Sequence, residues 1–149
     1  MIQPRHHLRV LVIDDEPDVL LLCRVNLSLS GMEVIEASDG EGGIRKAVAE
    51  APDVIVLDVM MPRMDGFTVL KELKHRPSTA EIPVIMLTAK AQQEDQLQGW
   101  AAGVADYVTK PFSPRELAGA VTRVSGMSAE ELHARRMETL SRLSVAQRV

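Results

Sequence analysis

The chain has 149 residues, of which 46% are hydrophobic, 26% charged and only 3% aromatic, so we expect one domain with an aliphatic core. A formal net charge of -4 argues against direct nucleic-acid binding by this chain, because such binding relies on clustered basic side chains. The apolar runs are far shorter than the roughly 20 residues of a membrane span, and the N-terminus lacks the pattern of a signal peptide. A cytoplasmic protein without a membrane segment is therefore expected.

Five short runs rich in branched aliphatic residues alternate with longer amphipathic segments. They are LRVLVI (8–13), MEVIEA (32–37), DVIVL (53–57), PVIMLT (83–88) and ADYVT (105–109). Strands that alternate with helices pair in parallel, and helices then cover both faces of the sheet. The pattern predicts an α/β fold with five strand–helix units.

Several helix starts carry capping signals. Ser38, Ser113 and Ser128 each precede a glutamate by three residues, which is the capping-box pattern. Pro17 favours a helix start soon after the first strand, and Asp65 is suited to cap the helix after the third.

After residue 125 the pattern changes to a mostly polar segment with spaced apolar residues, which predicts an extra C-terminal helix. We therefore divide the chain into a globular domain, residues 1–125, and a helical tail or linker, residues 126–149. About 25 residues cannot form a core of their own. The tail therefore docks on the domain, extends the fifth helix as a coiled coil, or exchanges between protomers, and the sequence leaves these alternatives open.

Polar side chains interrupt the predicted strands at their carboxyl ends. Asp14 and Asp15 end the first strand, Asp58 the third and Thr88 the fourth, and Lys110 follows the fifth. In a parallel α/β sheet these ends meet at one rim, which is where ligands bind. The sequence thus brings three carboxylates, a hydroxyl and a lysine to one site.

Three carboxylates at one rim need a counter-charge, because two unit charges about 4 Å apart repel by roughly 4 kcal/mol at an effective dielectric of 20. Oxygen ligands together with retained waters favour Mg²⁺. Lys110 adds a positive charge that suits an anionic ligand. Together these groups indicate phosphoryl transfer, in which positioning and charge neutralisation carry most of the catalysis.

These motifs resemble the receiver-domain signature of two-component response regulators. The similar segments are Asp14-Asp15, VIVLDVMMPRMDG around Asp58, Thr88-Ala89 and Lys110-Pro111-Phe112. They extend over about residues 8–124. The resemblance implies a doubly wound, flavodoxin-like sheet of order 2-1-3-4-5, as in chemotaxis receivers. It also implies a phosphorylation-dependent switch that works with a histidine kinase or phosphotransfer protein.

The resemblance assigns the metal and acceptor roles to particular residues. Asp58 would accept the phosphoryl group and ligate Mg²⁺, with Asp15 as a second direct ligand and Asp14 as a ligand through water. Met60 would contribute its backbone carbonyl alone. The position of Met60, like that of Lys90, varies in the family and tunes the lifetime of the phosphoaspartate, and we expect the bulky Met60 to hinder an attacking water.

The resemblance also implies how the signal leaves the site. Lys110 would bridge to the phosphoryl oxygens, with a cis bond to Pro111. Thr88 would donate its hydroxyl to the new phosphoryl oxygen, and Tyr107 would then turn inward. This would reshape the face made by the fourth helix, fifth strand and fifth helix, where a downstream protein, an output domain or a second protomer binds. A static role for Tyr107 is the alternative.

Two other protein classes share parts of the pattern. A phosphatase of the haloacid-dehalogenase type needs a second aspartate two residues after its nucleophile, where this chain has Met60 or Glu16. A flavodoxin-like cofactor binder needs a Gly-, Ser- and Thr-rich phosphate loop, whereas the first loop here is acidic. We therefore interpret the chain as a signalling module that catalyses only its own phosphorylation and dephosphorylation.

Two remaining residues bear on packing. Cys23, the only cysteine, lies in a leucine-rich helical run and is expected to be a buried thiol. Trp100, the only tryptophan, either anchors an interface or packs against the sheet, and the sequence does not decide between these roles.

Overall fold

A computed structural model describes residues 7–89 and 93–147 of the chain. Its elements, in chain order, are β1 (Arg9–Ile13), α1 (Pro17–Leu29), β2 (Glu33–Ala37), α2 (Gly40–Glu50), β3 (Val54–Asp58), α3 (Gly66–His75), β4 (Val84–Thr88), α4 (Gln93–Ala102), β5 (Asp106–Thr109), α5 (Pro114–Ser125) and α6 (Ala129–Gln147). All five predicted strands form, and each begins one residue later than predicted. None of the helices in the described part of the chain has the length and apolar character that a membrane span needs.

The five strands form one parallel sheet of order β2-β1-β3-β4-β5, which confirms the doubly wound, flavodoxin-like fold. The direction of winding reverses between β1 and β3, because β2 lies on one side of β1 while later strands are added on the other. Ligands of such folds bind outside the carboxyl ends at this switch point. Asp14 and Asp58 are the residues that these two strands present there.

Alternation along the strands divides the core into two layers. On β1, Val10 and Val12 pack under α1 and α5, whereas Leu11 and Ile13 pack under α2, α3 and α4. Period-two side-chain directions in a strand that is buried on both faces produce this division. Cys23 is fully buried in the first layer, as expected.

The capping predictions hold at three of four sites. Ser113 Oγ accepts a hydrogen bond from the backbone N–H of Glu116 at 3.2 Å, and Asp65 and Ser128 cap α3 and α6 in the same way. The prediction for Ser38 was wrong. Asp39 caps α2 instead, accepting from the N–H of Gly42 at 2.7 Å. A carboxylate at this position is favoured by the positive end of the helix dipole as well as by the hydrogen bond.

The C-terminal segment forms the predicted extra helix, and it docks on the domain. α6 packs against α4, with Leu140 contacting the layer that contains Trp100 and Leu132 contacting the opposite layer. Trp100 is 5% exposed, so it packs inside the molecule. Of the three alternatives for the tail, the structure shows docking.

Candidate functional site

Three carboxylates lie together at the switch point of the sheet. Asp14 and Asp15 follow β1, and Asp58 is the last residue of the neighbouring β3. One oxygen from each of these carboxylates lies within 4.8 Å of the others. Asp14 and Asp58 are buried, while Asp15 is the more exposed of the three. The cluster is therefore closed on its protein side and open to solvent at Asp15.

Lys110 reaches into this cluster from the end of β5. Lys110 Nζ lies 3.1 Å from Asp14 Oδ2 and 3.3 Å from Asp58 Oδ1, and Glu16 Oε1 lies 3.8 Å away. The backbone N–H of Lys110 donates to the carbonyl of Thr88 at 2.7 Å, which ties it to β4. Its peptide bond to the following proline is cis.

Burial and charge act in opposite directions on these groups. Burial and the charge of Asp14 together raise the pKa of Asp58 to about 6, although Lys110 and the N–H of Met60 oppose this change. Burial lowers the pKa of Lys110, but its hydrogen bonds and its attraction to Asp14 and Asp58 outweigh that effect, so its pKa lies above the ordinary value. One lysine thus faces more negative charge than it can neutralise.

The donor set fits a hard divalent cation. It consists of carboxylate oxygens at an open rim, and burial opposes the ionisation of Asp58, which a nearby cation would favour. The backbone of Met60 lies beside the same carboxylate, since its N–H donates to Asp58 Oδ1 at 3.3 Å, while its side chain is 74% exposed. These residues are therefore suited to hold Mg²⁺.

The two residues expected to transmit the signal lie at different places. Thr88 is buried at the carboxyl end of β4, the strand next to β3, and so shares the rim with Asp58. Tyr107 is half-buried on β5 and lies against α4, where a Cβ on Gly99 would overlap the tyrosine hydroxyl. Its ring centroid is 6.4 Å from that of Trp100. The rim thus gathers the three carboxylates, Lys110 and Thr88, while Tyr107 lies against α4.

Comparison with known proteins agrees with this geometry. The family model described as the response regulator receiver domain matches residues 10–122. The chain belongs to this family. It is a receiver domain of two-component signalling, a switch that responds to phosphorylation.

Several relatives resemble this receiver domain over part of their length. It is 50% identical over 109 residues to the alkaline phosphatase synthesis transcriptional regulatory protein PhoP of Bacillus subtilis, in an alignment covering 73% of this chain and 45% of that protein. It is 38% identical over 128 residues to the phosphate regulon transcriptional regulatory protein PhoB of Escherichia coli, covering 83% and 56%. The chain spans about half the length of these curated relatives.

Solved structures of receivers superpose on most of the chain. The chemotaxis protein CheY4 of Vibrio cholerae matches with a TM-score of 0.77 and 33% identity, covering 80% of this chain and 99% of that one. The Francisella response regulator 1452 receiver domain matches with a TM-score of 0.74 and 34% identity, covering 80% and 97%. These matches leave about a fifth of this chain uncovered.

Sequence reasoning missed one residue that shapes the receiver site. It is Gly66, the first residue of α3, where a Cβ would overlap the carbonyl oxygen of Asp58 and lie 2.8 Å from Val59 Cα. Its N–H donates to the carbonyl of Val59 at 2.8 Å. The glycine directly after Asp65 was the only available signal. Lys90, expected to tune the lifetime, lies outside the described residues.

Proposed function

We propose that Asp58 accepts a phosphoryl group from a histidine kinase or phosphotransfer protein, with Mg²⁺ held by Asp14, Asp15, Asp58 and the Met60 carbonyl. The observation that carries the proposal is the carboxylate cluster with Lys110 Nζ 3.3 Å from Asp58 Oδ1. A nucleophile, a cation site and a protein cation share one rim. That combination suits phosphoryl transfer, which depends mainly on positioning and charge neutralisation.

In the proposed step, a carboxylate oxygen of Asp58 attacks the phosphorus of the donor. An oxygen–phosphorus bond forms, the nitrogen–phosphorus bond of the phosphohistidine breaks, and its electron pair stays on the imidazole. Asp58 must be ionised to attack. Mg²⁺, when bound, supplies positive charge that favours this ionisation and offsets the charge of the phosphoryl oxygens. Lys110 contributes a second positive charge from the protein itself.

After transfer, Lys110 and Thr88 are the groups that hold the new anion. The ammonium exchanges part of its contact with Asp58 for the phosphoryl oxygens, and the Thr88 hydroxyl donates to one of them. The phosphoryl group thereby favours the arrangement in which Tyr107 has turned inward from α4. The face of α4, β5 and α5 is then the surface presented to a downstream protein, an output domain or a second protomer. Later hydrolysis at Asp58 resets the domain.

The proposed function is divided between the two parts of the chain. Residues 1–125 act as the receiver unit and residues 126–149 as its tail. The chain catalyses only transfer to and from its own aspartate and does not itself bind nucleic acid, although relatives that it matches over 45% of their length are named as transcriptional regulators. Support comes from the net charge of -4 and from Arg135 on α6, which is paired with Asp106. A cytoplasmic location stays a prediction.

Incubation with acetyl phosphate, followed by intact mass measurement, tests the proposal. We expect the mass to rise by one phosphoryl group with Mg²⁺ and not with EDTA. Asp15→Asn should slow labelling at least about tenfold, since even outer-shell partners of a bound metal are worth that much. Asp18→Asn, an exposed acid in the first turn of α1, is the matched control and should label like the wild type. Equal labelling in EDTA would overturn the metal-assisted mechanism.

A further inference from the structure

The tail helix covers part of the surface through which a receiver is expected to signal. α6 packs on α4 and β5 through a set of contacts that we call the tail contact. Its residues are Trp100, Ala105, Asp106, Arg135 and Leu140. The helix is 19 residues long, and Ser128 and Glu131 cap its start reciprocally, at 3.1 Å and 3.0 Å. α6 is therefore a capped helix that docks at one position on the domain.

Arg135 makes three different interactions in this contact. Its Nη1 donates to the carbonyl oxygen of Ala105 at 2.8 Å, its Nη2 lies 3.4 Å from Asp106 Oδ1, and its guanidinium lies 5.5 Å from the ring centroid of Trp100. Asp106 is buried and is also paired with Arg123 of α5 at 2.7 Å. Because one carboxylate joins α5, β5 and α6, the position of α6 is coupled to the proposed signalling face.

The tail contact also touches the proposed switch residue through a shared neighbour. Trp100 meets Arg135 on one side, and its ring is 6.4 Å from that of Tyr107, with 58° between the planes. The tyrosine hydroxyl lies against Gly99 of the same helix. An inward turn of Tyr107 would therefore remove a neighbour of the tryptophan on which Arg135 rests.

Other features of the docked helix oppose its binding. A cavity of about 440 Å³ remains beside it, lined by Lys74, Leu132 and Arg136 among others. In the described part of the chain, the buried Nε of Arg136 has no hydrogen-bond partner. Burial and the charge of Arg136 together lower the pKa of Lys74 to about 8, although Glu81 opposes this change. An unsatisfied buried donor and two like charges both cost free energy, so the helix is held less tightly than a core element.

We propose that α6 covers the α4–β5 surface while Asp58 is unphosphorylated, and that phosphorylation of Asp58 weakens the tail contact. α6 and a downstream partner then compete for binding to the same surface. The inference rests on the proposed function, because it takes Asp58 as the acceptor and Tyr107 as the switch. A partner that binds the α4–β5 surface places a guanidinium or ammonium group against Asp106 and apolar side chains against Trp100, as α6 does.

Coupling between the two sites must be reciprocal. If phosphorylation weakens the tail contact by some factor, then breaking the tail contact favours phosphorylation by the same factor at equilibrium. A variant that releases α6 should therefore also be phosphorylated to a greater extent, which a purely structural helix would not produce.

The experiment measures amide hydrogen exchange over residues 132–144 of the full chain, before and after treatment with acetyl phosphate and Mg²⁺. We expect at least fivefold faster exchange in the phosphorylated wild type. Arg135→Ala should exchange fast in both states and reach a higher phosphorylated fraction at limiting donor. Arg142→Ala, which removes a side chain that lies 3.5 Å from Thr139 on its own helix, is the matched control and should behave like the wild type.

Intact mass on the same samples separates the two claims. A phosphoryl mass gain without faster exchange in α6 would overturn the inference and leave the proposed function standing. No mass gain at all would overturn both. Leu140→Asp is a second releasing variant, and it should reproduce Arg135→Ala in both exchange and phosphorylated fraction. If both variants release α6 but are phosphorylated to the same extent as the control, the coupling is absent and the inference fails.

Discussion

At the scale of single residues, Asp58 is defined by what surrounds it. Its carboxylate is 4% exposed and lies near a second buried carboxylate, Asp14, so both burial and repulsion favour its protonated form. Lys110 contacts both acids and offsets part of this effect. These effects raise the pKa of Asp58 to about 6, and a bound cation would favour its ionised form.

The raised pKa of Asp58 gives stability a specific dependence on pH. The Asp58 carboxyl binds its proton more tightly in the folded chain than in the unfolded chain. The protonated carboxyl therefore contributes its full stabilisation of the fold below about pH 3.8, and this contribution is lost as the pH rises through about 6. Without metal, Asp58→Asn should match the wild type near pH 4 and exceed its free energy of unfolding by about 2 to 3 kcal/mol at pH 7. Urea denaturation in EDTA measures this difference. A difference that does not change with pH would contradict the burial account.

Met60 is the residue that we expect to control how long the phosphoryl group stays on Asp58. Its side chain is 74% exposed beside Asp58, where it can hinder an attacking water. Met60→Asn should lose the phosphoryl group roughly five- to tenfold faster, which corresponds to about 1 kcal/mol in barrier height. Loss of phosphoryl mass after donor removal gives the rate. Met137→Asn, which changes an exposed methionine on α6, should keep the wild-type rate. An unchanged or slower loss in Met60→Asn would refute the shielding role.

Sequence reasoning identified the carboxylates and the lysine because each interrupts or follows an apolar strand. It could not identify Gly66 as a packing residue, since the contact of that glycine with Asp58 depends on how α3 crosses the end of β3. Glu16 was likewise not connected with Lys110, although their side chains lie 3.8 Å apart. Such contacts depend on tertiary packing, which a linear pattern does not contain.

At the scale of elements, two helical glycines have opposite surroundings. A Cβ on Gly99 of α4 would overlap the Tyr107 hydroxyl and lie 2.7 Å from its Cζ, whereas a Cβ on Gly119 of α5 would meet no described atom within 4 Å. Gly119→Ala should raise the free energy of unfolding by about 0.5 to 1 kcal/mol through helix propensity. The free energy of unfolding of Gly99→Ala should be about 1 to 3 kcal/mol lower than that of Gly119→Ala, because the added methyl group forces Tyr107 to move. Chemical denaturation compares the two variants.

Equal stabilisation by the two alanines would show that Tyr107 does not lie against α4. The same outcome would weaken the proposed route from Tyr107 through Trp100 to the tail. The glycine pair therefore tests the resting position of the switch residue independently of any phosphorylation experiment.

Element boundaries could be predicted well where the signal is local, and less well where neighbours compete. Ser113 and Ser128 cap their helices as expected, but Asp39 displaced Ser38, because two adjacent residues both suited the cap. The existence of α6 followed from its sequence. The position at which α6 docks could not be predicted from the sequence, because the contact that fixes it joins Arg135 to Ala105, 30 residues earlier in the chain.

At the scale of the whole molecule, the sheet separates the site of chemistry from the proposed surface of output. The carboxylates lie at the switch point, where β1 and β3 end. β4 and then β5 follow β3 across the sheet, and β5 is the edge strand that α4 and α6 contact. The alternation of strands and helices was sufficient to predict the α/β class. The strand order came from the family resemblance, because periodicity does not specify which strands are neighbours.

The central claim is that Asp58 carries the phosphoryl group, and chemical mapping tests it most directly. Borohydride reduces an aspartyl phosphate to homoserine, so the full chain is treated with acetyl phosphate and Mg²⁺, reduced, digested and sequenced by mass spectrometry. We expect homoserine at position 58 in the wild type and at no position in Asp58→Asn. Homoserine at position 14 or 15 in the wild type, or unchanged labelling of Asp58→Asn, would contradict the account.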